Sequence, residues 1–163
     1  MKIETRWIGE LVGPSDLNAG DFCFCNSEYT LFILPNGEAF ALESLRRPDR
    51  DYRSIVSPIV AFQRDSVRRL SGSVIVEPIY PEDKCRFPPD YGNIGVGHLI
   101  LKPGGLAFRI PANHYYRDIL ISNGEDSPSD HSAGYSYPNW RLLWECNGEE
   151  REFFRFEASV ETK

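Results

Sequence analysis

Residues 44–73 hold seven arginines, Arg46, Arg47, Arg50, Arg53, Arg64, Arg68 and Arg69, against three aspartates, Asp49, Asp51 and Asp65. A guanidinium presents a planar, two-pronged donor array to phosphate or carboxylate, so this segment is a candidate dock for an anionic partner. Nucleic acid would want aromatic rings between the cations for stacking, and only Tyr52 and Phe62 stand there. The plainer assignment is a solvated face whose arginines pair with the neighbouring aspartates. A second set carries sulfur and imidazole. Cys23 and Cys25, two apart, put both thiols on one face of a strand, and His98 and His114 are the further metal candidates, with Cys85, Cys146 and His131 available to complete four ligands. Paired knuckles of the usual structural-zinc spacing are missing, so small buried thiols and capping histidines account for the same residues. The third set is aromatic: Tyr115, Tyr116, Tyr135, Tyr137, Trp140 and Trp144 gather late in the chain. Tyr135 and Tyr137 sit among Ser, Gly and Pro and are expected at the surface, where tyrosine supplies rigid, amphipathic contact area. Trp140 and Trp144 are expected in the core. No nucleophile elbow, phosphate-binding loop or zinc-protease motif occurs, and the run Gly92, Gly95, Gly97 precedes a strand and not a helix.

The elements that must position these groups read as short strands. Residues 3–12 alternate between Ile3, Thr5, Trp7 and Leu11 on one side and Glu4, Arg6 and Glu10 on the other. Residues 22–25 and the doubly apolar run 29–34 follow, then the turn Pro35-Asn36-Gly37 and a return strand at 39–42. Further strands are expected at 74–80, 97–101, 106–110, 119–122, 140–146 and 151–156. One α-helix is expected over residues 58–70, with Ser57 as N-cap, Pro58 at the first helical position and Gly72 beyond the end. Two stretches, 81–97 and 122–139, are rich in Pro, Gly and Ser and read as long loops. Residues 31–42 echo 99–110 at five of twelve positions, a pattern that either a duplicated half or two hairpins with similar turn needs would produce, the hairpins being the plainer account. The last hairpin has two possible registers around Asn147-Gly148. A two-residue turn sets Trp144 opposite Arg151 and Trp140 opposite Arg155; a three-residue loop sets Trp140 opposite Phe156 and Leu142 opposite Phe154.

Residues 98–124 resemble the first motif of the cupin family: a Pro103-Gly104 turn, then Pro111, His114, Tyr116, Asp118 and a closing Gly124. The resemblance implies a small β-barrel with His114, and His98 or Asp118, facing its interior, and a metal-dependent enzyme or small-ligand binder. Tyr116 stands where the family has its second metal histidine.

At 163 residues, with 41% hydrophobic, 13% aromatic and 26% charged side chains, the chain can bury a core without disulfide or metal staples. The net charge of −6 works against whole-surface attraction to nucleic acid or anionic lipid. The charged N-terminus and apolar runs of four residues predict neither a secretion signal nor a membrane span, which leaves the cysteines reduced and the protein in the cytoplasm. These observations predict an all-β domain, or a β-rich one with a single short helix, spanning 1–163 as a sandwich or barrel of short antiparallel strands. Its expected role is non-enzymatic protein binding through the loop tyrosines or the arginine patch, with no cofactor. Nucleic-acid binding and cupin-like chemistry are the alternatives.

Overall fold

The computed structural model describes residues 7–25, 29–46, 55–62, 67–80, 85–86, 95–112, 115–127 and 135–158. Its strands, in chain order, are β1 (Glu10–Leu11), β2 (Phe22–Cys25), β3 (Tyr29–Ile33), β4 (Glu38–Ala41), β5 (Ser57–Pro58), β6 (Val67–Arg69), β7 (Ser73–Pro78), β8 (Cys85–Arg86), β9 (Leu99–Lys102), β10 (Gly105–Ala112), β11 (Tyr115–Leu120), β12 (Tyr135–Tyr137), β13 (Asn139–Cys146) and β14 (Glu149–Glu157). They form three antiparallel sheets, ordered β1-β6-β2-β3-β4-β5, β11-β10-β9-β12-β8 and β14-β13-β7. The fold is all-β and sandwich-like, and none of the three sheets closes into the barrel that the sequence left open.

One apolar cluster joins the sheets. Phe22, Phe32 and Phe40 of the first sheet meet Leu99, Phe108, Ile110 and Ile119 of the second and Trp140, Leu142, Trp144, Phe154 and Phe156 of the third. The contacts are aromatic: Phe108 lies with its ring centroid 5.3 Å from Phe32 and 5.2 Å from Trp140, and Trp140 stacks on Phe156 at 5.5 Å. The indole N–H groups of Trp140 and Trp144 also find carbonyls, Trp140 donating to Gly97 and Trp144 to Ser71, and both side chains are buried in the core as expected. β3 is buried on both faces, because Leu31 and Ile33 point away from this cluster into a second one with Cys23, Cys25, Ala39, Ala41, Ile59 and Val67.

That second cluster explains why the expected helix at 58–70 does not form. Pro58 does open a helical turn, but only a 3-10 turn over Ile59–Phe62, and the chain returns as β6 with Val67 opposite Cys25. Burying Ile59 and Val67 against the outer face of β2 and β3 outweighs the N-cap signal of Ser57-Pro58. The segments read as loops also differ. Within 81–97 lies β8 and within 122–139 lies β12, and the two pair with each other, Tyr135 opposite Arg86 and Ser136 opposite Cys85. Tyr135 and Tyr137 therefore stand on a strand and not on a loop, and the three-residue alternation Tyr-Ser-Tyr is the reason. At the amino end, residues 1–6 lie outside the described residues, and of residues 7–12 only Glu10–Leu11 form a strand. The strand expected at 119–122 runs instead from Tyr115 to Leu120, with a turn beyond it.

The last hairpin uses both registers. Trp144 faces Arg151 across a two-residue turn in which Asn147 has φ 53° and Gly148 φ 82°, the left-handed pair such a turn requires. The register then shifts between Leu142 and Leu143, so Leu142 faces Phe154 and Trp140 faces Phe156. Phe153 is the extra residue of this β-bulge, and its ring packs edge-on against Phe22 and Phe24. The two echoing segments are the hairpins β3–β4 and β9–β10. Ala39 pairs with Ile33, whereas its counterpart Ala107 pairs with Ile100, one position out of step with the echo.

Candidate functional site

Three of the seven arginines, Arg46, Arg68 and Arg69, lie among the described residues, and each is engaged by the protein's own groups. Arg46 donates from Nε and Nη2 to the Arg155 carbonyl at 3.2 and 2.7 Å, with its guanidinium 4.3 Å from the Phe154 ring centroid. Because Ala158 N–H donates to the Pro138 carbonyl, the alternation of an antiparallel ladder turns the Arg155 carbonyl outward, so Arg46 covers the open edge of β14. Arg68 is half-buried and donates to the Gly9 carbonyl at 3.4 Å. Arg69 bridges the Asp16 carbonyl at 2.9 Å and the Glu10 carboxylate at 3.0 Å, with Asp21 at 3.6 Å. Each is tied to a different carbonyl or carboxylate. Arg47, Arg50, Arg53 and Arg64 lie outside the described residues.

The metal candidates are also separated. Cys23 and Cys25 do share one face of β2, but that face is the apolar outer cluster of the first sheet. Burial, reinforced by Asp21, pushes the Cys23 thiol up to about 12, which keeps it protonated and a poor ligand. Cys25 donates its S–H to the Phe62 carbonyl at 3.1 Å. His98 belongs to the second sheet, and His114 lies outside the described residues. Among the described residues no three His, Cys, Asp or Glu side chains gather as a metal site.

A polar cluster that the sequence reading did not single out as a unit lies on the second sheet. Arg109 on β10 and Asp118 on β11 face each other in register, and their side chains form a bidentate pair, Nε to Oδ1 at 2.8 Å and Nη2 to Oδ2 at 3.0 Å. Lys102, at the end of β9, reaches the same Oδ2 at 2.9 Å. All three are buried, at 4%, 0% and 3% exposure for Lys102, Arg109 and Asp118. The Arg109 guanidinium also lies 3.7 Å from the Tyr116 ring centroid. Alongside, His98 Nδ1 and Ser136 Oγ are 3.3 Å apart. Burial, with Arg109 adding to it, pushes His98 down to about 4, so its imidazole is neutral at pH 7. Of the residues in the cupin-like segment, Tyr116 and Asp118 stand on β11 and His98 just before β9, in a sheet that does not close into the barrel the resemblance implies, and His114 lies outside the described residues. The chemistry differs, because a carboxylate gripped by two cations serves neither as a free base nor as an open metal ligand. The sequence did carry a signal: Lys102 follows Ile100, and Arg109 stands between Ala107 and Pro111, in the phase that faces away from Leu99 and Phe108 yet is buried.

On the opposite face, an apolar row runs across the sheet end. The β9–β12 register, continued one step, sets Tyr135 beside Leu101; Leu101 pairs with Leu106, and Leu106 lies beside Ile121, whose N–H donates to its carbonyl. Leu106 and Ile121 pack on the main core, while Tyr135 and Leu101 are exposed at 40% and 39%. Tyr137, in phase with Tyr135, is half-buried against the same core. No helix among the described residues is long and apolar enough to cross a membrane. Compared with known proteins, no family model matches this sequence, and neither a curated protein nor a solved structure matches the chain.

Proposed function

We propose that this protein is a non-enzymatic, cytoplasmic binding module that engages another protein through the sheet end around Tyr135. The observation that carries the reading is the exposed pair Tyr135 and Leu101 on adjacent strands, continuous with the core through Leu106 and Ile121. An apolar row anchored on a rigid sheet buries area on binding without paying to order itself first, and an aromatic with a polar tip is a common anchor of such contacts. The arginine segment supports the reading less, since Arg46, Arg68 and Arg69 are engaged by the protein's own groups. The buried Cys23 thiol, which forms no disulfide, supports a reducing compartment.

The test is site-specific photo-crosslinking in cells. A photoreactive phenylalanine analogue at Leu101 is expected to give a discrete adduct that Tyr135→Ala removes, with the melting temperature unchanged. The same analogue at exposed Tyr80, at the end of β7, is the control. Identical adducts from both positions, or none from Leu101, overturn the reading.

A further inference from the structure

We propose that Asn147-Gly148 is a site of spontaneous deamidation in the folded protein, and that the fold protects the same tripeptide at 123–125. Asn-Gly-Glu occurs three times, at 36–38, 123–125 and 147–149, so the chain contains its own controls for local sequence. In the reaction the glycine amide nitrogen, its proton lost to a solvent base, attacks the asparagine side-chain carbonyl. The new C–N bond closes a five-membered imide and ammonia leaves; water then opens the ring to aspartate or isoaspartate. The reaction therefore needs a glycine N–H free to be deprotonated and a side-chain amide free to turn towards it.

Two of the three sites, 123–125 and 147–149, differ in both respects. At 123–125 the Gly124 N–H donates to the Leu120 carbonyl at 2.8 Å, the Asn123 Oδ1 accepts from the Glu125 N–H at 3.0 Å, and Gly124 is buried. At 36–38 the pair is exposed with φ 64° and 72°, close to the conformation at 147–148, so Asn36 is grouped with Asn147 and not with the protected site. At 147–149 the turn is exposed at both residues, and among the described residues neither the Gly148 N–H nor the Asn147 side chain is held by a hydrogen bond. The product carboxylate would join Glu145 and Glu150, which already oppose each other in the ladder, and an isoaspartate would lengthen a two-residue turn by one backbone carbon.

The experiment is a time course on the intact, folded chain in mildly alkaline buffer, read by peptide mapping with mass spectrometry and by enzymatic methyl-labelling of isoaspartate. Each hydrogen bond that must break first is worth about a factor of ten, so Asn147 is expected to convert about a hundredfold faster than Asn123. In denaturant the rates should converge, which shows that the fold and not the tripeptide separates them. Conversion of Asn123 within about threefold of Asn147 in the folded chain overturns the proposal, as does an Asn147 that converts in denaturant but stays an amide when folded.

Discussion

Replacing Asp118 by Asn tests whether charge compensation holds the second sheet together. The substitution keeps the shape of the side chain and removes its charge, leaving Lys102 and Arg109 buried without the carboxylate that both contact. Breaking a buried pair from one side costs about 3–5 kcal/mol, a large share of the roughly 5–15 kcal/mol that holds a domain folded. At about 2–4 °C per kcal/mol for a chain of this size, the melting temperature should fall by roughly 10 °C. The informative comparison is Lys102→Met, which removes one of two cations and leaves the bidentate Arg109–Asp118 pair intact. It should cost less than about 1.5 kcal/mol, because a flexible apolar chain of similar length fills the site and one desolvated charge is gone. Urea unfolding followed by circular dichroism gives both values. A cost below about 1 kcal/mol for Asp118→Asn, or equal costs for the two variants, would refute the argument that the carboxylate is the element on which the cluster depends.

Acid should reveal His98. Its folded pKa, near 4, lies below the unfolded value of 6.5, so the unfolded chain takes up the proton first and stability falls as pH drops from about 6.5 towards 4, by roughly 3 kcal/mol in all. His98→Asn should remove that part of the slope in pH-dependent urea melts, and an unchanged slope would sink the assignment. Gly97→Ala should cost about 2–5 kcal/mol in thermal melts, since an added methyl group would lie 2.4 Å from Phe156 Cζ at a backbone φ of +89°. Gly148→Ala, with φ +82° but open space around it, should cost about 1 kcal/mol, and equal penalties would disprove the packing term. Arg46→Ala should lose about 1 kcal/mol and self-associate more readily in sedimentation velocity, because it uncovers the Arg155 carbonyl on the edge of β14; a strictly monomeric variant would count against the edge-covering role.

Most of the strands were legible because they are punctuated by turn residues whose backbone demands are local. Pro35-Asn36-Gly37 and Asn147-Gly148 mark their hairpins at the expected places. The register of β13 and β14 was not legible as one choice, since the answer is both registers joined by Phe153, and only its packing on Phe22 and Phe24 makes the bulge worthwhile. The failed helix has the same origin: capping residues are visible in sequence, whereas the apolar face of β2 and β3 that Ile59 and Val67 cover is assembled by residues far away. For the candidate sites, residue type misled where partners decide. Arg46 and Arg69 read as part of an anion dock or as partners of neighbouring aspartates, but the carbonyls and carboxylates that hold them come from β14, β1 and the Pro14–Asp16 turn. The ion cluster went unseen as a unit because Lys102, Arg109 and Asp118 meet only once β9, β10 and β11 are paired.

The pairing of β8 with β12 carries a kinetic consequence. It joins residues 86 and 135, roughly fifty positions apart, through two residue pairs, whereas the β9, β10 and β11 meander between them closes through short turns. Closing so long a loop costs conformational entropy before any contact repays it, so β8 docks late in folding and is the outermost strand to leave in a partial opening. Its departure would bare the backbone of β12 along the strand that carries Tyr135, converting a side-chain contact surface into a template for one more strand. On the proposed binding role, the affinity of the Tyr135 surface for a strand-shaped partner would then be set by how often β8 is away, and substitutions in β8 that touch no partner would tune it.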